Sequence, residues 1–290
     1  MAHNGGDDDS EAGILYVVAT PIGNLEDASD RARSTLASVA LIAAEDTRHT
    51  RGLLAKWGID TPLVSLHEHN EEGRIPGLLA RLRAGDDLAL VSDAGTPLLA
   101  DPGYRLVRAV TAADLPVRPV PGPCALIAAL SVAGLATDRF LFAGFLPART
   151  AARKAALAEL RTLPATLAFY EAPHRVGAVL RDAAEVLGGE REAWLGRELT
   201  KRFETHHRGS LAELAEQVRT GLAVERGEFV LLIAGADGEV ERTAVEAEAL
   251  LDALLEELPA SRAAKVAARV LGRPRQELYR LAMQRAAADR

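Results

Sequence analysis

The stretch VSDAGTPLLADPG (residues 91–103) begins where the apolar run LALV (88–91) ends, and holds two aspartates, two glycines, two prolines, a serine and a threonine. Side chains this small leave main-chain N–H and C=O groups within reach of a ligand. Carboxylates beside them suit a compact charged molecule. Two further loops share this character, ATPIGNLED (19–27) and AEDTRHT (44–50), and each also follows an apolar run. Ligands of open α/β sheets sit at the carboxyl ends of the strands. The three loops are therefore expected along one sheet edge, around one ligand.

Several other chemistries lack their residues. The phosphate-binding pattern G-x-x-x-x-G-K-[ST] is absent, and no G-x-G-x-x-G follows the first apolar run, which disfavours a nicotinamide or flavin site. SDAGTP looks like the D-x-D-G-T run of a phosphatase, but Gly95 stands where the second aspartate is needed. No G-x-S-x-G elbow for an esterase occurs. HEH (67–69) places two histidines on one side of an extended segment, yet no third ligand stands at a suitable spacing, and no metal is expected.

The elements that position these loops follow from hydrophobic spacing. Residues 14–20, 39–45, 62–66, 87–92 and 116–120 read as strands that are apolar on both faces, as buried parallel strands are. RARSTLASV, TRGLLAKWG, IPGLLARLRAG and GYRLVRAVTAAD lie between them with apolar residues at helical spacing. That alternation predicts an α/β domain with a mainly parallel sheet over 13–121. After PVPGPC (119–124) the intervals lengthen. Strands at 139–145, 165–170, 193–199 and 228–235, with helices at 150–163, 174–187 and 210–220, predict a second α/β domain over 122–238 with a mixed sheet. Residues 239–290 read as a helical extension of helix-turn-helix type, in which Gly272 ends one helix and Pro274 opens the last. The alternative for this extension is a three-helix cap packed on the domain.

The 290 residues are 48% hydrophobic, enough for a sizeable core. The longest nearly apolar stretch, CALIAALSVAGLA (124–136), is too short for a bilayer and broken by Ser and Gly. The first twelve residues read as a disordered acidic leader with no signal-peptide pattern, and a lone Cys124 excludes an internal disulfide. A cytoplasmic protein with no membrane association is expected. The net charge of −7 is uneven: acidic residues crowd 240–257 and basic ones 259–290. A basic end on an acidic chain suggests an anionic partner there, although such residues are also the ordinary wet face of helices.

Seven stretches, in order, resemble one family: YVVATPIGNLED, AAEDTRHT, VSDAGTPLLADPG, PVPGPCALIAAL, FAGFLP, FYEAPHR and GRELTK. They are similar to the ribosomal RNA small-subunit methyltransferases I, which belong to the tetrapyrrole-methylase-like (class III) methyltransferases, and the likeness runs from about residue 13 to 238. The resemblance implies two α/β domains with S-adenosylmethionine in the cleft between them, and a homodimer. It implies methyl transfer to the ribose 2'-oxygen of a cytidine in the decoding region of 16S rRNA, on the small ribosomal subunit. Pro21, Gly23 and Asn24 would line one wall of the cofactor site. Asp93, Ala94, Gly95 and Thr96 would hold the methionine part, and Gly122 and Pro123 would begin the crossing to the second domain. Gly144, Phe145, Tyr170, Glu171 and Ala172 would form the opposite wall, with backbone at Ala234 and Gly235 for the adenine. Simpler roles stay open: Asp93 as a cap, Tyr170 as a core residue with a satisfied hydroxyl.

A ribose hydroxyl is a poor nucleophile while protonated, so a nearby base or cation would help. Glu45, Asp46, Arg48, Glu68, His69, Glu171 and Lys201 are available, with Glu45, Arg48 and Lys201 ranked first. RNA needs cations along its phosphates. Arg149, Arg153, Lys154, Arg175, Arg197, Lys201, Arg262, Lys265, Arg273 and Arg275 are the candidates; an ion pair with Glu198 or Glu171 is the structural alternative for Arg197 and Lys201. Two rival functions remain at this level. One is methylation of a small tetrapyrrole, against which the basic tail argues. The other is a non-catalytic RNA-binding assembly factor that keeps a cofactor pocket.

Overall fold

A computed structural model describes residues 12–221, 226–236 and 240–288. The leader expected over 1–12 lies outside the described residues apart from Ala12, and so does the boundary expected at 238/239.

The first sheet comprises β1 (Leu15–Val18), β2 (Leu41–Ala44), β3 (Leu63–Ser65), β4 (Leu88–Val91) and β5 (Val117–Val120) in the order β3-β2-β4-β1-β5. Every pairing is parallel. All four residues of β4 are buried, as a strand covered on both faces requires. Helices α1 (Asp30–Ser38) and α2 (Thr47–Lys56) lay Ala32, Leu36 and Leu54 on Val18, Ile42 and Val91. Helices α3 (Glu71–Arg83) and α4 (Tyr104–Ala112) lay Leu78, Leu82, Leu106 and Val110 on Leu15, Leu88 and Leu90 across the sheet. Neighbouring strands β1 and β4 thus send their connections to opposite faces, which opens a crevice at their carboxyl ends.

Helix α3 starts four residues ahead of its expected start, upstream of Pro76, and buried Glu71 explains why. Its Oε1 accepts the Leu106 N–H at 2.8 Å, satisfying a donor in the first turn of α4.

Helix α5 (Ala125–Ala133) leads into the second sheet: β6 (Phe140–Phe145), β7 (Thr166–Glu171), β8 (Glu192–Arg197), β9 (Thr205–Ser210) and β10 (Phe229–Ile233), ordered β6-β7-β10-β8-β9. Only β6 and β7 pair in parallel, so the sheet is mixed as expected. Strand β9, at the edge of this sheet, is not among the strands expected from the sequence. Helices α6 (Thr150–Glu159), α7 (Val176–Leu187) and α8 (Leu211–Arg219) cover one face with Leu157, Val179, Leu180 and Leu214. On the other face α5 presents Leu126, Ala129, Leu130 and Ala133 to Ala168, Trp194, Val230 and Leu232. Ile22, from the loop after β1, joins that cluster and ties the two sheets together.

Helices α9 (Val240–Glu257), α10 (Ala260–Leu271) and α11 (Arg275–Ala288) form a bundle around Leu251, Ala263, Ala264, Ala267, Leu278 and Ala282. Gly272 closes α10 at φ +65°, and the Pro274 carbonyl accepts the Leu278 N–H at 3.3 Å, both as the sequence suggests. Among the described residues, no helix is long and apolar enough to cross a membrane.

Candidate active site between the two sheets

Short backbone contacts knit the loops at the carboxyl ends of β1, β2 and β4. Thr20 and Gly95 exchange both main-chain hydrogen bonds, at 2.9 and 3.0 Å. Asp93 Oδ1 accepts the Asp46 N–H at 3.0 Å, and Thr96 Oγ1 donates to the Pro123 carbonyl at 3.1 Å. Gly95 holds φ +84°, and a Cβ there would lie 3.2 Å from Ile22 Cγ2, so the position favours glycine twice over. Further along, Leu98 (φ 73°) and Ala100 (φ 69°) adopt left-handed backbone that costs a non-glycine residue about 1–2 kcal/mol each. This strained turn sets Leu99, Ala100 and Asp101 into a cavity of about 440 Å³.

The opposite wall comes from the second sheet. The carboxyl end of β7 supplies Tyr170 and Glu171, and the amino end of β10 supplies Phe229 and Val230; Phe229 pairs with Glu171 across the ladder. The Tyr170 hydroxyl accepts the Leu126 N–H at the start of α5, 3.2 Å away, and its ring meets Phe142 and Phe145 edge-on. Burial is the main reason its phenol pKa is pushed up. Glu171 has a fully buried side chain. Its Oε1 accepts the Ala172 N–H at 2.8 Å and lies 3.2 Å from Arg175 Nε, while Oε2 has no partner. Burial raises its pKa against the pull of these neighbours. An unpartnered buried acceptor on a cavity wall calls for a donor on a ligand.

The charged residues of a mostly apolar lining are all carboxylates. Glu45, Asp93, Asp101, Glu171 and Glu228 contribute to it, and no lysine or arginine does among the described residues. Burial, then Asp93 and Asp101, hold the Glu45 carboxyl above its ordinary pKa. Asp101 is raised by burial and by Asp93, opposed by a hydrogen bond from Ser92. Such a wall favours a ligand that carries positive charge.

Of the residues expected on the cofactor, the cavity gathers Asp93, Ala94, Gly95, Thr96, Phe145, Tyr170, Glu171 and Ala172, together with Glu45 from the catalytic set. Pro21, Gly23, Asn24, Gly122, Pro123 and Gly144 serve around it without lining it. Gly23 makes room for Lys201, whose Cγ would lie 2.2 Å from a Cβ there. Asn24 caps a short 3-10 turn by accepting the Glu26 N–H. Gly122 passes close to Ala19.

Ala234 and Gly235 require correction. Strand β10 runs antiparallel to β7, so its amino end reaches the cavity and these residues stand at the other end. Ala234 spends its N–H on the Glu192 carbonyl and its carbonyl on Arg191, and Gly235 packs on Ala165. Sequence reasoning missed Ile22, Leu99, Asp101, Leu199 and the 227–230 segment. Asp101 carried a signal as the second carboxylate of its loop, and Ile22, Leu99 and Leu199 lie within the stretches that carry the resemblance, whereas 227–230 lies outside them.

The remaining candidates divide by what they touch. Arg48 is exposed on α2, where Asp46 caps the helix through the Arg48 and His49 amides. Those two hydrogen bonds hold the Asp46 carboxyl below its ordinary pKa. Lys201 bonds Glu198 at 2.9 Å and Glu228 at 3.0 Å. Burial pulls its pKa down, but these two partners outweigh it, so the ammonium stays charged and engaged. Among the described residues no group of His, Cys, Asp and Glu could hold a metal ion, Glu68 and His69 included.

Arg153 is a second correction. It is 3% exposed and bonded to Asp182 at 2.6–2.7 Å, so its charge holds α6 to α7 and does not face RNA. Lys154 pairs with Glu185, Arg175 contacts Glu171 and the Leu146 carbonyl, and Arg273 pairs with Glu277. Arg197 donates to the carbonyls of Arg226 and Phe203. Arg149, Arg262, Lys265 and Arg275 are exposed.

Fold and site together define a two-sheet α/β protein with a cavity between its halves whose charged lining residues are carboxylates, and with a helical bundle after the second sheet. Residues 14–215 match the tetrapyrrole (corrin/porphyrin) methylases, and residues 241–286 match the RsmI C-terminal HTH domain. The ribosomal RNA small subunit methyltransferase I of Pseudomonas aeruginosa is 52% identical over 276 residues, covering 94% of this chain and 98% of that one. Its counterpart in Escherichia coli O157:H7 is 47% identical over 95% of this chain and 96% of that one. Among solved structures, the uroporphyrin-III C-methyltransferase of Thermus thermophilus complexed with S-adenosylhomocysteine is similar with a TM-score of 0.51. It is 21% identical, and the match covers 79% of this chain and 99% of that one. A cobalt precorrin-4 methyltransferase gives a TM-score of 0.55 at 15% identity, covering 76% and 94%. The chain belongs to the tetrapyrrole methylase family, in the branch of the ribosomal RNA small subunit methyltransferases I.

Proposed function

We propose that the protein transfers a methyl group from S-adenosylmethionine to the ribose 2'-oxygen of a cytidine in the decoding region of 16S rRNA, on the small ribosomal subunit. The observation that carries this reading is one cavity walled by both Asp93–Thr96 and Tyr170–Ala172, lined by five carboxylates and, among the described residues, by no lysine or arginine. Near-full-length likeness to the named relatives supports the RNA substrate.

The residues present fit the cofactor. Gly95 lets the ligand approach bare backbone, the carboxylates of Asp93 and Asp101 favour its ammonium and sulfonium, and Glu171 Oε2 offers an acceptor for an N–H or O–H of the nucleoside. When bound, the sulfonium supplies an electrophilic methyl group with a good leaving group already attached. What remains for the chain is orientation of the acceptor and removal of its proton. Of the three residues ranked first for catalysis, only Glu45 lines the cavity, and its raised pKa suits a carboxylate that accepts a hydroxyl proton. Arg48 and Lys201 stand outside the lining, and Lys201 holds the 198–204 loop against Gly23.

Exposed Arg262, Lys265 and Arg275 on the terminal bundle, with Arg149 on the second sheet's side, provide cations for phosphates. The chain works as a cytoplasmic homodimer in this reading; exposed Ile127 and Val132 on α5 and Phe140 and Leu141 on edge strand β6 offer apolar surface for a second copy. The test is transfer of a labelled methyl group to small subunits from a strain lacking the modification, using protein whose sedimentation reports a dimer, followed by mapping of the modified nucleotide. Label on one cytidine ribose is expected. Label on a tetrapyrrole instead, or cofactor binding with no transfer to RNA, defeats the reading.

A further inference from the structure

Strand β6 carries an irregularity at the cavity. Phe142 pairs with Ala168, and the next pair is Phe145 with Tyr170, so β6 spends three residues where β7 spends two. In a regular strand Phe142 and Phe145 would point to opposite faces. The extra residue turns Phe145 onto the face of Phe142 and Tyr170, which is what bulges do to side chains. Gly144 takes φ +64° there, with open space where a Cβ would be.

The outcome is a row of three rings. Phe142 and Tyr170 lie 4.8 Å apart between centroids, Tyr170 and Phe145 6.0 Å, and the Leu126 N–H fixes the Tyr170 hydroxyl. Phe145 lines the cavity and is nevertheless 54% exposed. Tyr104 and Phe203 are exposed to a similar degree but do not line it, and Phe203 has the Arg202 guanidinium over its ring. A cavity of about 440 Å³ takes one small molecule. A nucleotide attached to an RNA chain must therefore present itself at the mouth, where this ring stands on a rigid backing. RNA bases that leave their stack are commonly received on aromatic side chains.

We propose that Phe145, placed by the β6 bulge at the cavity mouth, is a stacking platform for the base of the RNA nucleotide whose ribose is methylated. The proposal departs from the expectation that Phe145 belongs to the cofactor wall, and it rests on the reading of the protein as an RNA methyltransferase. A platform of this kind selects a nucleotide that is unpaired or turned out of its helix, since a stacked base has no free face. It is sequence-tolerant, so the ring is a positioning element for the ribose rather than a reader of the base edge.

The test compares Phe145→Leu and Phe145→Tyr with the wild type in two measurements. One is the affinity for S-adenosylmethionine by calorimetry; the other is kcat/KM for unmethylated small subunits. The side chain is half in solvent, so neither substitution threatens the fold. Leucine should leave cofactor affinity within about twofold and lower kcat/KM roughly 10- to 100-fold, with tyrosine restoring most of it. A parallel loss of cofactor affinity places the ring on the cofactor and overturns the proposal. So does an unchanged kcat/KM, or a tyrosine variant as poor as leucine. If the wild type transfers to subunits and Phe145→Leu matches it, the platform alone fails. If the wild type transfers nothing to RNA, the function fails and takes the platform with it.

Discussion

All five strands of the first sheet end on one edge, whereas the second sheet meets the cavity with the carboxyl end of β7 beside the amino end of β10. The parallel arrangement collects loops. What it brings to the cavity is backbone in unusual conformations, Gly95, Leu98 and Ala100 among them, and the carboxylates Glu45, Asp93 and Asp101. The mixed arrangement collects strand ends. It brings the rings of Tyr170 and Phe145 and the buried carboxyl of Glu171, all aimed by register. The first half supplies three of the five lining carboxylates and the bare peptide groups, and the second supplies the rings and most of the shape. Methyl transfer needs both, a cation held and an acceptor steered. If that division holds, damage to each half should fail in its own way.

The largest effect is expected where the second half is a scaffold and no more. Arg153 and Asp182 form a buried pair between α6 and α7, with side chains 4% and 12% exposed. Removing one partner leaves the other charge buried and unpaired, which typically costs about 3–5 kcal/mol. Arg153→Met should lower denaturation stability by about 3 kcal/mol, since Lys154, 3.9 Å from Asp182, offers partial compensation. The double variant with Asp182→Leu should recover most of that, because an apolar pair of similar volume is tolerated. Wild-type stability with selective loss of RNA binding would return Arg153 to the RNA-contacting set.

Next comes the first half. Gly95→Val introduces a branched side chain at φ +84°, where the backbone also approaches Ile22. Cofactor affinity should fall at least about 100-fold, roughly 2.7 kcal/mol, while circular dichroism keeps its native form. Normal affinity by calorimetry would remove Gly95 from the site and leave the second sheet as the main holder of the ligand.

The sequence disclosed these halves unequally, for physical reasons. Strands such as Leu88–Val91 announce themselves because a parallel strand is apolar on both faces, and the loops behind them announce the site through small residues beside carboxylates. Strand β9, THHRGS, stayed hidden because an edge strand in water need not look apolar. Ala234 and Gly235 were misplaced because strand direction is a property of the sheet, set by pairing partners tens of residues away. Arg153 was misread for a similar reason. Its carboxylate partner lies 29 residues off, and a cation in sequence carries no mark of burial. The β6 bulge, which decides where Phe145 points, has Gly144 as its local sign, and a lone glycine in a strand is only a weak hint.

The smallest effect tests the electrostatic side of the comparison. Glu45 and Asp101 are raised above their ordinary values in the folded protein, each mainly by burial and then by neighbouring carboxylates. A carboxyl raised on folding keeps its proton longer than in the unfolded chain. Its contribution to stability is therefore present at low pH and lost as pH rises through the raised value. A cation entering the cavity reverses the preference, because it favours the ionised form and releases the proton. Affinity for S-adenosylmethionine should accordingly climb as pH rises from the ordinary carboxylate range through the raised values, by about tenfold or less. Calorimetry in buffers of different ionisation enthalpy should detect proton release on binding. S-adenosylhomocysteine has lost the sulfonium charge and should show a flatter profile, so the same wall that holds the methyl donor loosens its grip on the product. Asp101→Asn should flatten the donor's profile toward that of the product. Equal slopes for both ligands, or proton uptake on binding, would mean that the carboxylates of the first half shape the cavity without sensing charge, and the division between the two sheets would lose its electrostatic term.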